Sequence, residues 1–335
     1  MDALTPEVIV PVSPGSILEY GANFAGLRAE IEREIATLAA SKSELTQAVY
    51  REACRDFVST MWNMIIQTPE GLQVSHLECY IGELKKRGLR QTTITKKLSG
   101  ISALFEKLVR DGKIRSNPVK ALPASDRKRG KPKRTAKFKP WEVRAIFDAL
   151  NPRTKNYHLH RAVLAVGFYT GLRSAEIRSL TVGSFVQSEG CWVLRTKIKH
   201  RHHEDEHTVV VHPRLKEILD GYLVHLQEEG VDFKRKDGLL FTCNRQGYRG
   251  EKPLTHAGLT YIFNAAIKRA GIELDGDKRY SPHSMRKTLG NHLKEKDVPL
   301  HRIQEIYGHA SADTTVGYLD KDEGHAHSGI WQIGY

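Results

Sequence analysis

The sequence is poor in cysteine, in long apolar runs and in acidic charge, and each shortage closes off a class of function. Four cysteines, Cys54, Cys79, Cys191 and Cys243, stand far apart and form no Cys-x-x-Cys pair. That spacing excludes a disulfide framework or a thiolate zinc site and suits reduced thiols. No stretch reaches the roughly 18 apolar residues that a membrane-spanning helix needs. Met1–Ser16 lacks the basic start and apolar core of a secretory signal, so the expectation is a cytoplasmic protein with no membrane partner. There is no GxxxxGK phosphate loop, and nothing points to ATP-driven chemistry. Asp and Glu number 39 against 52 Lys and Arg, a formal net charge of +13. So basic a chain points to a polyanion, and nucleic acid fits better than a small anionic substrate.

What is present divides into segments. At 335 residues the chain can hold two domains with ordinary cores. Residues 1–42 read as an N-terminal extension, irregular around Pro6, Pro11 and Pro14 and helical toward Ala40. Residues 43–122 read as an all-helical domain. Val49, Ala53, Phe57 and Met61 fall at four-residue steps on one helix, and a second helix over Val74–Lys86 is closed by Gly88. Ile94, Leu98, Ile101, Leu104 and Leu108 stripe a third helix, and Asn117-Pro118 ends the run. Residues 123–137 read as an extended basic linker suited to following a phosphate backbone. Its candidate DNA contacts are Arg127, Lys128, Arg129, Lys131, Lys133 and Arg134. Residues 138–335 mix helices with a β-hairpin over Cys191–Arg195 and Thr208–His212.

Breaking a phosphodiester without a metal needs a nucleophile, cations for the non-bridging oxygens and an acid for the leaving oxygen. TGLRSAEIRSL puts Arg173 at a helix start, with Glu176 three residues on and able to hold it. SPHSMRKTLGNHL puts His283 and Arg286 one turn apart near a helix N-terminus, where anions are favoured. IQEIYGHASADTTVGYLD gives Gly308-His309 and, nine residues after that histidine, Tyr318. Alone, each is weak: an Arg–Glu pair is usually a surface pair, and a tyrosine near a chain end is usually packing.

Their order and spacing resemble the tyrosine recombinase (phage integrase-like) family, closely over about residues 138–320 and less specifically over 43–120. The resemblance implies a mainly α fold with a small β-sheet. It also implies an N-terminal helical core-binding (SAM-like) domain plus an α+β catalytic domain. Tyr318 would form a 3′-phosphotyrosine link. Arg173 and Arg286 would hold the scissile phosphate, His283 would accept a proton or bind phosphate, and His309 would donate a further hydrogen bond. A hairpin lysine would protonate the 5′ oxygen; Lys197 fits the family's TK position best, and Lys199 is its alternative. No metal, cofactor or ATP is implied. The implied partners are double-stranded DNA, further copies of the chain in a tetramer on two sites, and accessory DNA-bending proteins.

Other readings remain open at this stage. His200, His202, His203 and His207 among Glu204, Asp205 and Glu206 are a conceivable metal set, or a solvated hairpin tip. Tyr307 and Tyr335 are rival nucleophiles. A type IB topoisomerase-like relaxing enzyme and a DNA-binding relative without catalysis are the competing functions.

Overall fold

The computed structural model describes residues 33–37, 43–61, 74–128, 135–197, 206–230, 237–242, 252–273, 279–308, 315 and 319. The chain divides into two compact units, Met1–Pro132 and Lys133–Tyr335.

In the first unit, α1 (Glu44–Met61), α2 (Val74–Lys86) and α3 (Gln91–Arg110) enclose one core. The stripe on α3 is buried as its spacing requires: Ile94, Leu98, Ile101, Leu104 and Phe105 are each at most 2% exposed. Phe57 meets Tyr80 and Phe105 edge-on, with ring centroids 5.2 and 6.2 Å away. Residues 33–37 are helical, and Ile35 joins this core. The Tyr80 hydroxyl donates to Asp56 at 2.8 Å, and Arg87 reaches the same carboxylate at 2.9 Å. α4 (Pro118–Ala121) follows Asn117, whose side chain caps it through Val119 N at 3.0 Å. The expected extended linker begins instead with a helical turn, α5 (Ala124–Arg127). Gln91 holds that turn through the Asp126 carbonyl at 2.9 Å, and Arg127 Nε bonds the Leu122 carbonyl at 2.9 Å. Pro123 starts the turn and these bonds keep it, a local pattern that charge density does not reveal.

The second unit runs α6 (Pro140–Asp148), α7 (Tyr157–Thr170), α8 (Ser174–Ser179), β1 (Phe185–Ser188), β2 (Cys191–Lys197), β3 (Glu206–Val210), α9 (Pro213–Glu228), α10 (His256–Arg269), α11 (His283–Lys294) and α12 (Leu300–Tyr307). α7 is apolar nearly all round, so it is the central helix: Ala162 to Val166 are each at most 1% exposed. The three strands form an antiparallel sheet in the order β1-β2-β3. The expected hairpin is β2–β3, with Leu194 opposite Val209 and Thr196 opposite His207. β1 was not foreseen; it joins β2 through Glu189 and Gly190, both at positive φ, a two-residue turn whose twist suits paired strands. Among the described residues no helix is long and apolar enough to cross a membrane.

Glycines let α11 and α12 close on the end of α7. Met285 lies against Gly167 and Leu289 against Gly171, one turn further along both helices. The Tyr307 ring, fully buried, fills a slot between Gly171 and Gly290. A Cβ on Gly290 would stand 2.5 Å from the Tyr307 hydroxyl, which donates to the Arg286 carbonyl. Alanine in place of a helical glycine gains up to about 1 kcal/mol, but overpacking a filled core costs about 1–3 kcal/mol. Gly290→Ala therefore lowers stability by about 1–2 kcal/mol in urea unfolding; an unchanged or raised stability would show the slot to be looser than described.

Candidate active site

The site is assembled where α7 and α12 end and α8 and α11 begin. α7 stops because Gly171 takes a left-handed conformation, φ 64°, and its N–H bonds back to Gly167. Two residues on, Arg173 is the N-cap of α8. Glu176, buried, accepts from the Arg173 backbone N–H at 2.7 Å and from Arg173 Nη1 at 2.8 Å. One carboxylate thus closes the helix start and fixes the guanidinium. The Arg173 side chain is 36% exposed, and among the described residues the rest of its guanidinium makes no other hydrogen bond, so its free edge can take an oxyanion.

Arg286 is held more tightly. It is 1% exposed, on the first turn of α11. Nη1 donates to the Gly171 carbonyl at 2.7 Å and Nη2 to the Tyr307 carbonyl at 2.8 Å. These are the C-terminal ends of α7 and α12, where helix dipoles favour a cation. The guanidinium also lies over the Tyr307 ring, 4.1 Å from its centroid. Both carbonyl acceptors are neutral, so they orient the guanidinium without cancelling its charge.

His283 opens the same helix, after a turn closed by Ser284 N to the Ser281 carbonyl at 2.7 Å. The surrounding protein, then Arg286, Arg173 and Lys287, push its pKa down to about 4. His283 is itself exposed, which weakens the first cause; the cations act in the same direction, and the ring is neutral at pH 7. It is placed to accept a proton.

His207 departs from the solvated-tip reading. It is 6% exposed on β3, its Nε2 3.2 Å from the Glu305 carbonyl. Burial lowers its pKa, and it feels Glu176, Arg286 and Arg173, which locates it among the same groups. Sequence reasoning also missed the part played by Tyr307. As a rival nucleophile it fails: it is fully buried, burial raises its pKa, and its hydroxyl is donated to Arg286.

Not every candidate falls within the described residues. His309, Tyr318, Lys199, Tyr335, Arg129, Lys131, Lys133, Arg134, His200, His202, His203, Glu204 and Asp205 lie outside them. Lys197 ends β2, its Cα opposite that of Glu206. Arg127 and Lys128 are exposed beside α5. Next in sequence after Tyr318, Leu319 is described: it is buried against Tyr307 and Ile303, and its N–H bonds the Thr315 carbonyl at 3.1 Å.

The model of the phage integrase family matches residues 136–325. Tyrosine recombinase XerC of Bacillus pumilus is 28% identical over 283 residues, covering 82% of this chain and 86% of that protein. XerC of Listeria welshimeri is 24% identical over 285 residues, covering 84% and 89%. Among solved structures, XerH recombinase bound to palindromic difH substrate, a post-cleavage complex, aligns with a TM-score of 0.67 at 20% identity, covering 92% of this chain and 85% of that one. A lambda integrase tetramer bound to a Holliday junction aligns at 0.64 and 18%, covering 88% and 77%. At these identities the solved structures speak to the fold: mainly helical, with a small antiparallel sheet. The chain belongs to the phage integrase family, the tyrosine recombinases.

Proposed function

We propose that the protein is a site-specific DNA recombinase that cuts and rejoins strands through Tyr318. The observation that carries this reading is the held pair of guanidiniums, Arg173 on Glu176 and Arg286 between two helix ends, beside a neutral His283. Two fixed forks with an adjacent proton acceptor suit a phosphodiester gaining charge in its transition state. In the proposed step the Tyr318 oxygen attacks phosphorus and the bond to the 5′ oxygen breaks. The phenol proton passes to His283, and Lys197 (or Lys199) protonates the leaving oxygen. His309 adds a donor to the phosphate. The covalent link stores the bond energy, so the reverse attack by a 5′ hydroxyl reseals the strand without ATP.

Domain roles follow from the same reading. Residues 43–122 and 138–335 both bind duplex DNA, and the cations Arg127, Lys128, Arg129, Lys131, Lys133 and Arg134 contact its phosphate backbone. Phosphate contacts dominate, so affinity falls steeply with salt. By analogy with the lambda integrase tetramer on a Holliday junction, four copies act on two sites. Such an enzyme works in the cytoplasm, on the nucleoid.

The test is a nicked suicide duplex carrying the cognate site. Wild type forms a covalent protein–DNA adduct, and Tyr318→Phe binds the duplex but forms none; an undiminished adduct in that variant sinks the assignment. A 5′-bridging phosphorothiolate, whose leaving group needs no proton, restores Lys197→Ala but not Arg173→Ala. Restoration of Lys199→Ala alone moves the acid to that lysine.

The proton acceptor gives a pH prediction. A histidine with a lowered pKa stays neutral below the ordinary value of 6.5 and loses that form only as the pH falls toward about 4. The cleavage rate at subsaturating DNA, which reports the free enzyme, should hold from pH 8 down to about 6 and reach half only below about pH 5.5. A midpoint at the unshifted value would mean that His283 is not so placed.

A further inference from the structure

The reaction as proposed leaves one buried histidine of the site unused. His207 stands opposite Thr196 in the β2–β3 ladder, one residue from the pair of Lys197 and Glu206. A carbonyl can only accept, so the Nε2 that faces the Glu305 carbonyl carries the ring proton. The same carbonyl accepts the Gly308 N–H at 3.0 Å, the bond that ends α12. The ring also lies flat on that turn: a Cβ built on Gly308 would be 3.3 to 3.4 Å from its Cδ2, Cγ and Nε2. Gly308 is left-handed, φ 58°, so both its backbone and its missing side chain suit the closure. Immediately before it, the Tyr307 carbonyl receives Arg286; immediately after it comes His309.

We propose that His207 is a positioning residue, a neutral clamp that fastens the Tyr307–Gly308 turn to the sheet. Through that turn it holds the Tyr307 carbonyl, one of the two that aim Arg286. It also ties that turn to the β2–β3 ladder, whose β2 strand ends at Lys197. The charged groups around it are Glu176, Arg173 and Arg286. A neutral donor here secures the turn without adding a third positive charge beside the two arginines. The inference rests on the recombinase reading.

The experiment compares wild type, His207→Ala, His207→Gln and His207→Leu in the full chain. Two quantities are measured: single-turnover adduct formation on the nicked duplex, and hydrogen exchange of the backbone amides over residues 305–310. Ala removes both ring and donor, Gln keeps an N–H of similar reach, and Leu keeps the bulk alone. Loss of the clamp should slow cleavage about 10- to 100-fold in Ala and Leu, as small misplacements in active sites do, while DNA binding changes less than about threefold. Gln should restore the rate to within about threefold of wild type and restore slow exchange at Gly308, which Ala and Leu should accelerate. Rescue by Leu equal to that by Gln would reduce the residue to packing and overturn the proposal. If wild type forms no adduct, the recombinase reading fails, whereas the exchange comparison still decides whether His207 clamps the turn.

Discussion

The placement of Arg286 is the constraint on which the rest of the catalytic unit depends. A guanidinium 1% exposed needs acceptors, and it finds them at the Gly171 and Tyr307 carbonyls, the last groups of two helices. For those carbonyls to meet, α7 must stop at a left-handed glycine and α12 must stop at another. Helices α7 and α11 must also approach closely, which Gly167 permits under Met285 and Gly171 under Leu289. The Tyr307 ring completes the cradle, seated against Gly290 and carrying the cation on its face. Removing any one of these lets a buried charge shift, and buried charges tolerate little movement.

Around that fixed cation the site keeps its other groups in complementary states. Arg173 is steered by a buried carboxylate yet keeps an exposed edge. His283 and His207 both have lowered pKa values, so neither adds a charge at neutral pH. The result is two positive forks with neutral histidines beside them. Such an arrangement attracts a phosphate and still has somewhere to put a proton.

Much of this was legible in the residues because helix signals are local. The stripe from Ile94 to Leu108, the stop at Gly171 and the Arg173–Glu176 spacing each depend on a few neighbouring positions. What escaped depends on distant partners or on weak turn chemistry. β1 was missed because Glu189-Gly190 is not one of the usual hairpin pairs, although Gly190 marks the turn. Ala124–Arg127 was read through its charges, and its helical turn depends on Gln91, far away in sequence. His207 was grouped with its hairpin neighbours, yet it is in phase with the buried Val209 and Val211, and that alternation already pointed it inward. Tyr307 is a rival nucleophile by sequence; that it instead carries a guanidinium follows only from α7, α11 and α12 meeting.

Two tyrosines stand eleven positions apart: Tyr307, which builds the cradle, and Tyr318, the proposed nucleophile. The most direct measurement is to trap wild-type protein on the nicked duplex, digest both protein and DNA, and find by mass spectrometry which residue carries the nucleotide. The account predicts a 3′-phosphonucleotide on Tyr318. A nucleotide on Tyr307 would contradict it, because a ring that is buried, protonated and bound to the Arg286 carbonyl could not have reached the phosphate.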